Sequence, residues 1–88
     1  MNKERRKQLQ EAIEKINSMS DILEEIKSII ESCRYDEEEY RDNMPENLQG
    51  SEKYEKAENA IGSLDEAYDA LDDIDVDEII SSIEEAME

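Results

Sequence analysis

The chain has no histidine, tryptophan or phenylalanine, and only one cysteine, one proline and two glycines in 88 residues. Each shortage removes a class of chemistry. Without histidine there is no imidazole base, no Ser-His or Cys-His pair, and no Glu-x-x-His ligand set of a di-iron bundle. Gly50 and Gly62 stand too far apart to form a glycine-rich phosphate loop. A lone Cys33 excludes an internal disulfide. Its place among apolar residues reads as a buried, inert thiol of a reducing compartment, so a cytoplasmic location is expected. No run of eighteen apolar residues is present, so no segment reads as membrane-spanning. The basic start from Lys3 to Lys7 is followed by no apolar stretch and does not read as a signal peptide. Catalysis, a cofactor and a resident metal are not expected.

Positive charge is missing from one whole part of the chain. All ten Lys and Arg fall in residues 1–56 with fifteen acids, whereas residues 57–88 hold twelve acids and no base. The formal charge of −17 therefore divides into −5 and −12. Such a chain repels nucleic acid and anionic lipid, and it invites a protein partner with a basic surface. Charged residues reach 42 % of the total, a level that would indicate disorder if the apolar residues were scattered. They are periodic instead.

Leu9, Ala12, Ile16, Met19, Leu23, Ile26, Ile30 and Cys33 step by threes and fours, and the beat continues through Glu37, Tyr40 and Met44. This is a heptad stripe on a helix over about residues 3–42, roughly 60 Å long. Ile13, Ile22 and Ile29 flank the stripe and widen it beyond what one neighbouring helix covers. Asp42 to Ser51 reads as a turn around Pro45 and Gly50, with Leu48 expected to close the end of the core and Ser51 to cap the next helix. Tyr54, Ala57, Ile61, Leu64, Tyr68 and Leu71 repeat the beat and predict a second helix over 52–72. Asp75 with Glu78 resembles a capping box, and Ile74 with Ile79 a hydrophobic staple, so a third helix is expected over 76–87. A bend in one longer helix explains the same letters.

The expected fold is all-α, a single helical domain over residues 1–88 in which the second and third helices run back along the first. That register sets Tyr40 near Tyr54, Cys33 near Ile61 and Ile26 near Tyr68. It also brings Glu84, Glu85 and Glu88 to Lys3, Arg5, Arg6 and Lys7, whose charge is unfavourable at a helix N-terminus. Two helices cannot bury stripes this broad, so the hairpin is expected either to pair into an antiparallel four-helix homodimer or to fold as a three-helix bundle. Leu9, Ile16, Met19, Leu23, Ile26, Ile30, Ile61, Leu64, Tyr68 and Leu71 form the expected core or dimer seam.

Two acidic features invite a function. Asp73, Asp75, Asp77 and Glu84 fall at positions 1, 3, 5 and 12 of a calcium-loop pattern. Glu78 occupies the position that needs glycine, and only four residues follow Glu84, so the helix-cap reading of the same segment is preferred. The other feature is a surface of Asp36, Glu38, Glu39, Glu55, Glu58, Asp65, Glu66, Asp69, Asp72 and Asp73. If residues 57–88 are helical they span about 48 Å, so their acids fall roughly every 4 Å, close to the phosphate spacing of one DNA strand. The surface thus reads as a partner-binding face that imitates a nucleic-acid backbone, against the plainer role of solubilising a homodimeric scaffold.

The turn from Asp42 to Gln49, followed by Ser51-Glu52-Lys53-Tyr54 and the Ala- and Asp-rich second helix, resembles small acidic helical-hairpin proteins of low-GC Gram-positive bacteria and their phages. The likeness covers residues 36–75. It implies a mobile-element setting, in which small acidic proteins inhibit host nucleic-acid-handling enzymes of restriction and CRISPR systems. It implies no catalytic residues.

Overall fold

The computed structural model describes all residues 1–88. Helix α1 spans Lys3–Asp42, a single 3-10 turn spans Glu46–Leu48, α2 spans Glu52–Asp72 and α3 spans Val76–Met87, with no strand. Each helix starts where a side chain answers free N–H groups of its first turn. The Arg5 N–H donates to Asn2 Oδ1 (2.8 Å), the Tyr54 N–H to Ser51 Oγ (3.4 Å) and the Glu78 N–H to Asp75 Oδ1 (3.0 Å). Helix α1 ends at Asp42, because Pro45 disfavours helical backbone at Met44. The connection closes through Gly50 at φ 86°, left-handed backbone that suits a residue without Cβ. Asp75 has extended backbone (φ −94°, ψ 91°) and caps α3, so α2 and α3 are separate helices and not one bent rod.

Contacts gather into two compact units, residues 1–25 with 74–88, and residues 26–73. In the first, Leu9, Ala12, Ile16 and Leu23 of α1 are half-buried and Ile13 is buried. Helix α3 offers Val76, Ile80, Ile83 and Met87 at steps of four and three, all half-buried. The expected ion pairs at this end do not form. Lys3, Arg5, Arg6, Lys7, Glu84, Glu85 and Glu88 are all exposed, and none pairs with another. Long side chains in water gain little from pairing and lose rotamer freedom by it.

The second unit is an antiparallel helical hairpin, in which partners of α1 on α2 fall in number as α1 advances. Lys27 meets Asp72, and Arg34 meets Asp65. Ala57 and Ile61 are its buried centre on α2, at 2 % and 7 % exposure. Leu64, Tyr68 and Leu71 flank them half-buried. Met44, not Leu48, closes the turn end: Met44 is buried, and Leu48 stands exposed over an open recess shared with Tyr40, Pro45 and Lys53.

The covered side of α1 differs from the expected stripe by one residue. Covered positions run Leu9, Ile13, Ile16, Ser20, Leu23, Lys27, Ile30, Arg34, Glu37, Arg41 and Met44. The beat is the same, but Met19, Ile26, Cys33 and Tyr40 give way to the residues that follow them and are themselves exposed. Leu9, Ile16, Leu23 and Ile30 stay covered while the alternate positions move on by one residue, so the centre of the stripe turns by about 50°. Cys33 is accordingly an exposed thiol, and Met19 and Ile26 belong to no core within the chain. Helix α1 is apolar over more than one face, so α2 covers only part of it. The rotation adopted lays the stems of Lys27, Arg34 and Arg41 along the seam while their charged ends reach carboxylates.

Candidate functional site

The 26–73 hairpin has two flanks of opposite character. On one, Lys27 Nζ lies 2.9 Å from Asp72 Oδ1 and 5.6 Å from the Tyr68 ring centre. Arg34 Nη1 donates to Asp65 Oδ1 at 2.8 Å. That bond, with the charges of Asp65 and Glu38, raises the Arg34 pKa above its ordinary value against partial desolvation. Arg41 Nε donates to Asp42 Oδ1 at 3.1 Å. The bond raises its pKa also, with smaller help from Asp42, Tyr54 and Glu58. Lys27 and Arg34 thus meet Asp72 and Asp65 of α2, seven residues apart on each helix, while Arg41 bonds Asp42 of its own helix and lies in the field of Glu58. Asp72 lies at the end of α2 where the helix dipole disfavours an acid, and no base of α2 sits in its last turn. Lys27 supplies the missing cation from α1.

The opposite flank follows from helix geometry. In an antiparallel pair, the residue preceding each covered cation of α1 lies on the same side as its counterpart row on α2. That side carries Ile26, Ile29 and Cys33 of α1, all exposed, with Ala60, Ser63, Ala67 and Ala70 of α2. These seven positions are uncharged, and the same heptad rows run on into Asp36 of α1 and into Lys53 and Lys56 of α2, all exposed. Ile29 is 64 % exposed, the most of any large apolar residue.

The ten acids expected to form one surface are thereby divided. Asp65 and Asp72 are committed to Arg34 and Lys27, while Glu38 and Glu58 add to the field around Arg34 and Arg41. Asp36, Glu39, Glu55, Glu66, Asp69 and Asp73 remain exposed and enter no ion pair. Of these, Glu55, Glu66, Asp69 and Asp73 line the outer side of α2. The unbroken 48 Å run of acids is also interrupted, because α2 ends at Asp72. The outer row spans about 27 Å, and its charges stand farther apart than the phosphates of a DNA strand.

The acids of the calcium-like pattern do not converge. Asp75 Oδ1 caps α3, Asp73 caps α2, and no group of three or more carboxylates or thiols comes close enough to hold a metal ion. The pattern records a helix boundary in a segment rich in Asp. No helix is long and apolar enough to cross a membrane.

The cation row and its rotation were missed from the stripe alone. The signal was present in the equal spacing of Lys27, Arg34 and Arg41 against Glu58, Asp65 and Asp72, two heptad series of opposite sign. Comparison with protein-family models, curated proteins and solved structures finds no match for this chain.

Proposed function

We propose that this chain is a non-catalytic, cytoplasmic interaction protein whose outer α2 acids engage a basic protein surface of the kind that binds nucleic acid. The observation that carries the reading is the division of charge on the hairpin. Lys27 and Arg34 are spent on Asp72 and Asp65 at the seam, which leaves Glu55, Glu66, Asp69 and Asp73 facing solvent without a counter-charge. An acid row on a rigid helix attracts cationic surfaces over the screening length and repels nucleic acid itself. The setting implied by the resemblance, inhibition of a host nucleic-acid-handling enzyme of a bacterium, is one in which such a surface is the target.

The test separates outer acids from seam acids. A variant carrying Glu66→Gln, Asp69→Asn and Asp73→Asn leaves the Asp65 and Asp72 pairs intact. In capture from a Gram-positive lysate, the parent chain is expected to retain a basic protein at about 0.1 M salt and release it at about 0.5 M, where the screening length has roughly halved. The triple variant is expected to lose it at both. Equal retention by variant and parent at about 0.1 M salt, or undiminished retention by the parent at about 0.5 M, refutes the acidic-face reading.

A second reading, a homodimeric scaffold, is favoured by the shallow core. Only Ile13, Met44, Ala57 and Ile61 are buried, and no large side chain is fully enclosed. An antiparallel four-helix dimer would give the exposed Ile22 and Ile29 apolar neighbours.

A further inference from the structure

We infer that the recess at the closed end of the 26–73 hairpin binds the carboxyl end of a partner polypeptide, with the last apolar side chain in the recess and the carboxylate on Lys53. The inference stands apart from the acidic-face reading and uses none of the outer α2 acids.

The turn builds the recess. Tyr40 of α1, Asn43, Met44, Pro45 and Leu48 of the connection, and Lys53 of α2 line an open space of about 340 Å³, the small end of the range for ligand sites. Met44 is buried, whereas Tyr40 and Leu48 stand 51 % and 40 % exposed. Leu48 is thus a large apolar side chain that the core does not use. Its backbone is nonetheless fixed. The Leu48 N–H donates to the Pro45 carbonyl at 2.9 Å, and the Ser51 N–H donates to the Leu48 carbonyl at 3.0 Å. A recess on a pinned turn is formed before its occupant arrives, which lowers the ordering cost of binding.

Charge selects the occupant. Beyond Lys7 the chain has six bases, and five of them lie on a carboxylate: Lys15 on Glu11, Lys27 on Asp72, Arg34 on Asp65, Arg41 on Asp42 and Lys56 on Glu52. Lys53 alone has no partner, and it is the one charged residue lining the recess. With twenty-seven acids in the chain, a free ammonium beside apolar walls is the exception. A purely apolar occupant leaves that ammonium unanswered, and a cationic one is repelled at contact. The last residue of a polypeptide, when apolar, carries both required groups on one Cα. The Asn43 side chain offers a donor and an acceptor to the peptide group behind it. A polypeptide end also brings further residues to the exposed Tyr40 and Leu48, which a short free acid lacks.

The total charge of −17 repels any anion at long range. Apolar contact therefore supplies most of the affinity, and Lys53 supplies the choice of end group.

The experiment is a titration of the full, isotope-labelled chain with acetyl-Gly-Ala-Leu, followed by amide chemical shifts at about 0.15 M salt, where long-range repulsion is largely screened. The same tripeptide ended as an amide, and free octanoate, are titrated beside it. The free-acid peptide is expected to shift Asn43, Leu48 and Lys53 with a dissociation constant on the order of 1 mM. The amide-ended peptide, and the free acid on Lys53→Gln, are each expected to bind about fivefold more weakly, the upper end for an exposed ion pair. Leu48→Ser is expected to weaken binding about tenfold through lost apolar contact. Lys56→Gln lies outside the recess and is expected to bind as the parent does. Leu48, Lys53 and Lys56 are exposed, so the remaining amide positions are expected to stay unmoved in these variants. Absence of shifts at the three residues up to ~20 mM peptide overturns the site. Equal binding of acid and amide, or an equal loss in Lys56→Gln and Lys53→Gln, overturns the pairing with Lys53. Octanoate bound as tightly as the peptide overturns the polypeptide end in favour of a free acid.

Discussion

The two glycines offer one chemical change with two opposite outcomes. Gly62 sits in the middle of α2 on its outer side, and a Cβ built there meets nothing within 4 Å. Alanine at an exposed helix interior is favoured over glycine by about 0.8–1 kcal/mol. Gly50 also has open space around a built Cβ, but its φ of 86° lies in left-handed backbone. There alanine costs about 1–2 kcal/mol in the folded state, offset by about 0.4–1 kcal/mol from a stiffer unfolded chain. The net expectation is about 1 kcal/mol gained for Gly62→Ala and about 0.5–1 kcal/mol lost for Gly50→Ala. For a chain of this size each kcal/mol moves the midpoint by about 4–8 °C. Thermal melts followed at 222 nm, at one fixed chain concentration, are expected to separate the two variants by about 6–16 °C, with the parent between them. A neutral or destabilising Gly62→Ala would refute the open outer side of α2, because only a group pressed against that surface could cancel the helix gain. A neutral Gly50→Ala would refute the left-handed turn.

Two further outcomes test the packing described. Ile61→Ala removes most of a side chain that is 7 % exposed at the centre of the hairpin, and a loss of about 2–4 kcal/mol is expected in urea unfolding. A loss under about 1 kcal/mol would place the centre of the unit elsewhere. Asp75→Ala removes the acceptor for the Glu78 N–H at the start of α3. It is expected to cost about 1 kcal/mol and to speed amide exchange at Glu78 in particular, while Asp77→Ala, which caps nothing, leaves that amide protected.

Much of the fold was legible in the letters, and the reason is local. Asn2, Ser51 and Asp75 each stand immediately before an apolar beat, and a capping side chain acts within its own turn. Helix bounds and the existence of the hairpin therefore followed from neighbours in sequence. The register followed only in part: Tyr68 was expected beside Ile26 and its ring lies under Lys27, but Arg34 meets Asp65 where its neighbour Cys33 was expected beside Ile61. The azimuth of α1 did not follow. Hydrophobicity alone centres its broad face on Met19, Ile26 and Cys33, whereas the face turned to α2 is the one on which Lys27 and Arg34 meet Asp72 and Asp65. An apolar stripe states that a face needs cover without stating which neighbour supplies it. For the acids, composition gave their number but not their division into seam and outer rows, since that depends on the same rotation. The Asp-rich segment after Leu71 read as a ligand pattern and as a helix start, and the extended backbone of Asp75 belongs to the second.

The seven-residue spacing of the seam carries a consequence for how such a protein changes over generations. Apolar contacts and ion pairs of the 26–73 unit repeat with one common period, so every rung of the ladder resembles the rung seven residues away. Nothing along the arms counts rungs. The closed end at Met44 and Gly50 alone says where α2 must begin. Removing one period from each arm together restores the same ladder, one rung shorter. Losing a single residue from either arm turns every later cation away from its acid and every later isoleucine toward it. The hairpin behaves like a ruler that tolerates cuts only at its marks, so its length is free to vary in steps while its two flanks keep their separate characters.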